Sequence, residues 1–149
     1  MSDTPVTDLR DAIDRMETAY EFLISFAGQG VGREGVQSST DQIREFVTDF
    51  EEGLEAGYAA AAAVPEVHED LDTEAYEEFI QRLEPEVEEA RNALRLLGEQ
   101  DRITSQQVDN MNGMSVFQSV VMKFFFLDEL TDHLERSADG GSGGAVEDV

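Results

Sequence analysis

The chain contains no cysteine. That absence removes a disulfide framework, a thiolate metal site and a cysteine nucleophile together, so no thiol chemistry enters its fold or its function. Imidazole is nearly absent as well, His68 and His133 being the two histidines. Positive charge is scarce: ten Lys and Arg stand against 34 Asp and Glu, and Lys123 is the single lysine. Proteins bind nucleic acid by neutralising phosphates with clustered Lys and Arg, so a formal net charge of −24 predicts no nucleic-acid partner. The same charge repels an anionic bilayer. Long hydrophobic runs are missing too. The longest, Val116 to Leu127, is broken by Gln118, Ser119 and Lys123 and falls short of the roughly 20 apolar residues that a bilayer helix needs. Met1 to Arg10 carries two acids and leads into no apolar run, which predicts no secretory leader and a cytoplasmic protein.

What is present in excess is carboxylate. A net charge this large pushes a compact chain apart unless salt screens it, and at molar salt the Debye length falls to about 3 Å. Abundant surface acid with one lysine therefore predicts a halophilic protein, and the composition resembles that of proteins adapted to a salt-filled cytoplasm. A nucleic-acid mimic, which imitates phosphates with acids, is the competing reading. It would concentrate the acids on one surface, whereas here they are spread over every helical segment.

With 149 residues the chain fits one domain, able to bury roughly 70% of the surface its unfolded form exposes. Its periodicity is helical. Leu9, Ile13, Met16, Tyr20, Leu23 and Ala27 follow a 4,3,4,3,4 spacing, which lies on one stripe of a helix and on no strand. Thr4 before Pro5 supplies a cap and a pre-set first turn, and Gly28 and Gly30 stop this first helix, about 5–28. Gly28 to Gly35 holds four glycines and reads as a loop; Ser39 with Gln42 then forms a capping box. The second helix, about 40–63, carries Ile43, Val47, Phe50, Leu54, Gly57 and Ala61, and ends in five alanines before Val64 and Pro65. Asp72 caps the third, about 73–97, with Leu71 and Tyr76 as a hydrophobic staple. Its seam is Tyr76, Ile80, Leu83, Val87, Ala90, Leu94 and Leu97, and Pro85 predicts a kink because it cannot donate to Gln81. Thr104 with Gln107 is a further capping box, and Ile103 with Val108 a further staple, opening a fourth helix of about 105–136 with an optional break at Asn112 and Gly113. Phe117, Val120, Phe124, Leu127, Thr131 and Leu134 make its stripe. The sequence thus predicts an all-α fold, a four-helix antiparallel up-down bundle over residues 1–137, followed by a disordered glycine-rich tail over 138–149.

In so acidic a chain, a stretch without acids is the informative one. From Ile103 to Leu127 only Asp109 and Lys123 are charged, against 30% for the whole chain. Val121, Met122, Phe125 and Phe126 lie off the assigned stripe, so they need a second cover: a second copy of the chain or another protein docked on the fourth helix. The plainer alternative makes that helix the central, most buried one. A second acid-poor region, Phe22 to Gly32, predicts a possible ligand end. It gathers Gly28, Gly30, Gly32 and Gly35, the amides of Gln29, Gln106, Gln107, Asn110 and Asn112, and the cations Arg33 and Arg102. Backbone amides of a glycine loop can hold an anion, but phosphate-binding motifs need a preceding strand with a Lys-Ser/Thr pair or a third spaced glycine, and none is here. A helix-linking turn explains the same glycines.

No catalytic agent stands out. Di-iron bundles require Glu-x-x-His on two helices, and Pro65 and Leu130 occupy the positions three before the two histidines. Glu129 and His133 share a face at i,i+4, a spacing more often found in a solvated pair than in a metal site, so neither metal nor cofactor is expected. The resulting expectation is a non-enzymatic adaptor, scaffold or regulator acting through its fourth helix, self-associating or binding another protein. The alternative is a small-molecule or cofactor-binding bundle using the glycine-loop end.

Overall fold

The computed structural model describes residues 4–28, 40–68 and 71–147, with side chains described as far as Arg136 except at 135. The fold is all-helical: α1 (Pro5–Gly28), α2 (Thr40–Ala63), a 3-10 turn (Val64–Glu66), α3 (Thr73–Gly98), α4 (Ser105–Asn112) and α5 (Ser115–Glu147). Among the described residues there is no strand, and no helix is long and apolar enough to cross a membrane.

The helix starts are fixed by side-chain caps. Thr4 Oγ1 accepts from the Thr7 amide at 3.1 Å ahead of Pro5, and the Asp72 carboxylate accepts from the Ala75 amide at 3.2 Å. At α4 the box is reciprocal: Thr104 Oγ1 accepts from the Gln107 amide at 3.1 Å, while the Thr104 amide donates to Gln107 Oε1 at 2.9 Å. The box expected at Ser39 lies outside the described residues. Helix α3 runs through Pro85, and its last carbonyls are satisfied from α2: Arg44 donates to Gly98 O at 2.8 Å and to Gln100 O at 2.7 Å.

The helix expected from 105 to about 136 takes its optional break: α4 stops at Asn112 and the chain turns through Gly113 and Met114 before Ser115 opens α5. The backbone of α5 then continues past Arg136 to Glu147. The disordered tail expected over 138–149 falls on residues whose side chains are not described.

Helix α1 packs against α2, α4 and α5, and α3 packs against α2 and α5. The α1–α2 contact is close because α2 presents Gly53 and Gly57 to Met16: a Cβ at position 57 would come within 2.8 Å of Met16 Cε and 3.1 Å of Phe124 Cε1. One continuous core results, with Leu9, Leu23, Ile43, Phe50, Leu54, Leu83, Leu94, Phe117, Phe124 and Leu127 sealed from solvent. Tyr20, Phe50 and Phe117 tie α1, α2 and α5 together edge to face, at centroid distances of 5.7 and 5.8 Å.

Ion pairs stitch the outside. Arg91 and Arg95 of α3 both bind Glu51 of α2, Arg15 of α1 bonds Asp49 and Glu52 of α2, and Arg10 of α1 reaches Asp132 of α5 at 2.5 Å.

Candidate functional site

The acid-poor stretch from Ile103 to Leu127 splits into two halves with different surroundings. The α4 half is covered by its own chain: Ser105, Val108 and Met111 are buried, with α1 packed against this helix. The α5 half is not. Met122 is 63% exposed, Phe126 55% and Phe125 37%, three of the seven large hydrophobics that the described residues leave in solvent. Val121, grouped with them on the sequence, is a core residue, lining a narrow crevice with Ile13, Met16 and Glu17 of α1. Helix α5 therefore keeps an uncovered apolar face beside its buried one.

Geometry explains the exposure. Phe124 faces the core, and at 100° per residue Met122 and Phe126, two positions to either side of it, both point outward. Phe125 leans toward α1, lining the same crevice as Val121, while Phe126 leans toward α3, its ring 5.6 Å from that of Phe79. The outward face of α5 follows its own heptad spacing: Ser115, Ser119, Met122, Phe126, Glu129 and His133, again 4,3,4,3,4. Acid enters this stripe only at Glu129. Beside it, Lys123 Nζ binds Glu86 Oε1 of α3 at 2.8 Å and Ser119 Oγ donates to the same carboxylate at 3.1 Å, so the one lysine is held at the edge of the apolar centre. Two more exposed hydrophobics, Ile24 at 46% and Met114 at 37%, lie on α1 and on the turn that opens α5.

The end expected to hold a ligand comes together only in part. Gly28 is exposed at the α1 terminus with open space around it, Arg102 is exposed in the α3–α4 link, and Asn110 is exposed on α4. Gly30 and Arg33 lie outside the described residues. Gln107 is engaged in the α4 capping box. Sequence reasoning gave Asn112 a minor place here, yet it stands out: its side-chain Oδ1 and Nδ2 are both buried without a hydrogen-bond partner, beneath a shallow opening lined by Asp109, Asn110, Gly113 and Met114. Asn112 is the last residue of α4, at the break that the sequence marks as optional.

Groupings of three or more His, Asp or Glu able to hold a metal ion are not found among the described residues. His133 is exposed on the outer stripe of α5. Comparison of the chain with known protein families, with curated proteins and with solved structures gave no match.

Proposed function

We propose that this chain is a non-enzymatic interaction protein of a halophilic cytoplasm, an adaptor, scaffold or regulator that associates through the outer face of α5. In this reading the long helices form a four-helix antiparallel up-down bundle in which α4 and α5 together supply the fourth member. The observation that carries it is the exposure of Met122, Phe125 and Phe126 on a stretch nearly free of acid, in a chain of which 34 of 149 residues are Asp or Glu. Covering what these three side chains still expose contributes about 0.5 to 2 kcal/mol each, which favours that face as a contact.

The test is in-cell cross-linking of the wild type beside Phe126→Glu. The wild type forms a discrete cross-linked complex, of whatever composition, and the variant loses it while keeping its helical circular dichroism. An identical cross-linked pattern for both proteins, or no complex with either, defeats the reading.

A small-molecule site at the α4–α5 break is the second reading, favoured by the unpartnered amide of Asn112. It predicts a metabolite released on denaturing protein purified from its own cells, and lost in Asn112→Leu.

A further inference from the structure

Resting on the α5 contact proposed above, we infer that its occupant is a second copy of this chain, docked by an antiparallel two-fold pairing of α5 with α5 about Phe124. The first ground is charge. A basic partner would be drawn to the carboxylate-rich faces of this molecule and has no need of a face without acid. A second copy has that need, because it brings the same net charge of −24, and every carboxylate inside an isologous contact meets an equally acidic surface. The stretch of α5 cleared of acid is the one that carries Met122, Phe125 and Phe126, with Glu17 of α1 and the Lys123-bound Glu86 of α3 at its edges.

The second ground is register. The outer stripe of α5 has spacing that reads the same in both directions about position 124. Antiparallel pairing therefore places Met122 against Phe126 of the second copy, Ser119 against Glu129, and Ser115 against His133, and repeats each pair on the other side of the axis. Each apolar residue meets an apolar one. Each Glu129 meets Ser119, where Lys123 already neutralises the Glu86 carboxylate that the serine binds. Parallel pairing in the same register would set Glu129 against Glu129, so the distribution of charge along the helix selects the antiparallel form.

The chain has no cysteine, which makes the arrangement directly measurable. Purified full-length protein in molar potassium chloride is expected to sediment as a dimer whose affinity rises with salt, since salt screens the acidic bodies and strengthens apolar burial. Met122→Glu and Phe126→Glu should each weaken the dimer by more than about 30-fold. Both positions are more than half exposed in the protomer, so the fold survives the change, and Leu96→Glu, at an equally exposed leucine of α3, serves as the control that leaves the dimer intact. When Ser115→Cys and His133→Cys proteins are mixed and treated with a short bis-maleimide, the mixed product should exceed either homodimeric product. A monomer at every salt concentration, a dimer that dissociates as salt rises, or one indifferent to Met122→Glu overturns the inference. So does predominance of Ser115→Cys self-cross-linking. A purified monomer alongside a Phe126-dependent complex in cells would remove the second copy and leave the proposed contact face standing.

Discussion

The carbonyl of Ala61 shows how one residue type dictates another at a distance. In a continuing helix it would accept from the amide four residues on, but that position is Pro65, which has no N–H. The Tyr76 hydroxyl donates to it instead, at 2.6 Å, from a buried ring on α3. Tyr76→Phe should therefore cost about 1 to 2 kcal/mol, read as a lower denaturation midpoint, because it strands a buried acceptor. Burial also pushes the Tyr76 phenol well above its ordinary value of 10.0. The fold holds the neutral form more tightly than the unfolded chain does, so this contribution is whole below pH 10 and is lost as pH climbs past it. Alkaline unfolding should be less steep in Tyr76→Phe. Asp128 gives the acidic counterpart: burial chiefly, aided by Asp132, Asp14 and Glu129 and opposed by Arg10, raises its carboxyl above 3.8. Its proton favours the folded state, and that stability is lost as pH rises through the raised value. Asp128→Asn should then match or exceed the wild type in thermal midpoint at pH 7, with the gap closing below pH 4. Asp128 lies 3.9 Å from Arg10 and makes the weaker contact there; Asp132 keeps the short bond to that guanidinium.

At the scale of the helix, the α1–α2 pairing rests on what α2 omits. Gly53 and Gly57 let Met16 approach the α2 backbone, and Phe124 of α5 closes over the same spot. Gly57→Leu would drive a branched side chain into both and should lower stability by about 1 to 3 kcal/mol in a denaturant titration. The conservative Gly57→Ala should be milder, since the nearest atom is the flexible end of Met16 and alanine favours the helix. The seams were legible because 3.6-residue periodicity is a local property: the α2 residues Ile43, Val47, Phe50, Leu54, Gly57 and Ala61 picked out by spacing are all buried. The caps at Thr104 and Asp72 were legible for the same reason, a side chain and an amide three residues apart. The break at Gly113 was legible only as an option, because Asn-Gly marks turns yet a lone glycine is also tolerated inside a helix. Nor could spacing separate Val121 from Met122, Phe125 and Phe126. All four lie off the Phe124 stripe, and only the proximity of Ile13 and Met16 on α1 shows that the first is covered.

For the molecule as a whole, the question is how a compact body carrying a formal charge of −24 stays folded. Five of its cations pair across helices: Arg91 and Arg95 converge on Glu51, Arg15 on Asp49 and Glu52, Arg10 on Asp132, Lys123 on Glu86. Most of these pairs are substantially exposed and contribute about 0 to 1 kcal/mol each, too little to offset the mutual repulsion of the remaining carboxylates. On the halophilic reading proposed above, screening by salt adds to burial of the core in offsetting that repulsion. Raising ionic strength weakens the few favourable pairs and the many unfavourable ones together, and the many prevail, so the thermal midpoint should rise steadily from low salt into the molar range. The same titration separates folding from association. Phe126→Glu adds one acid and removes from the protomer only the edge contact with Phe79, so its midpoint at high dilution should run parallel to the wild-type salt curve. At high protein concentration the wild type alone should gain further stability, because only it can bury the α5 face, and that gain should grow with concentration by mass action. A midpoint that falls as salt is added would show that the cross-helix ion pairs dominate the electrostatics, and would remove the physical basis for reading the missing acids of α5 as a contact.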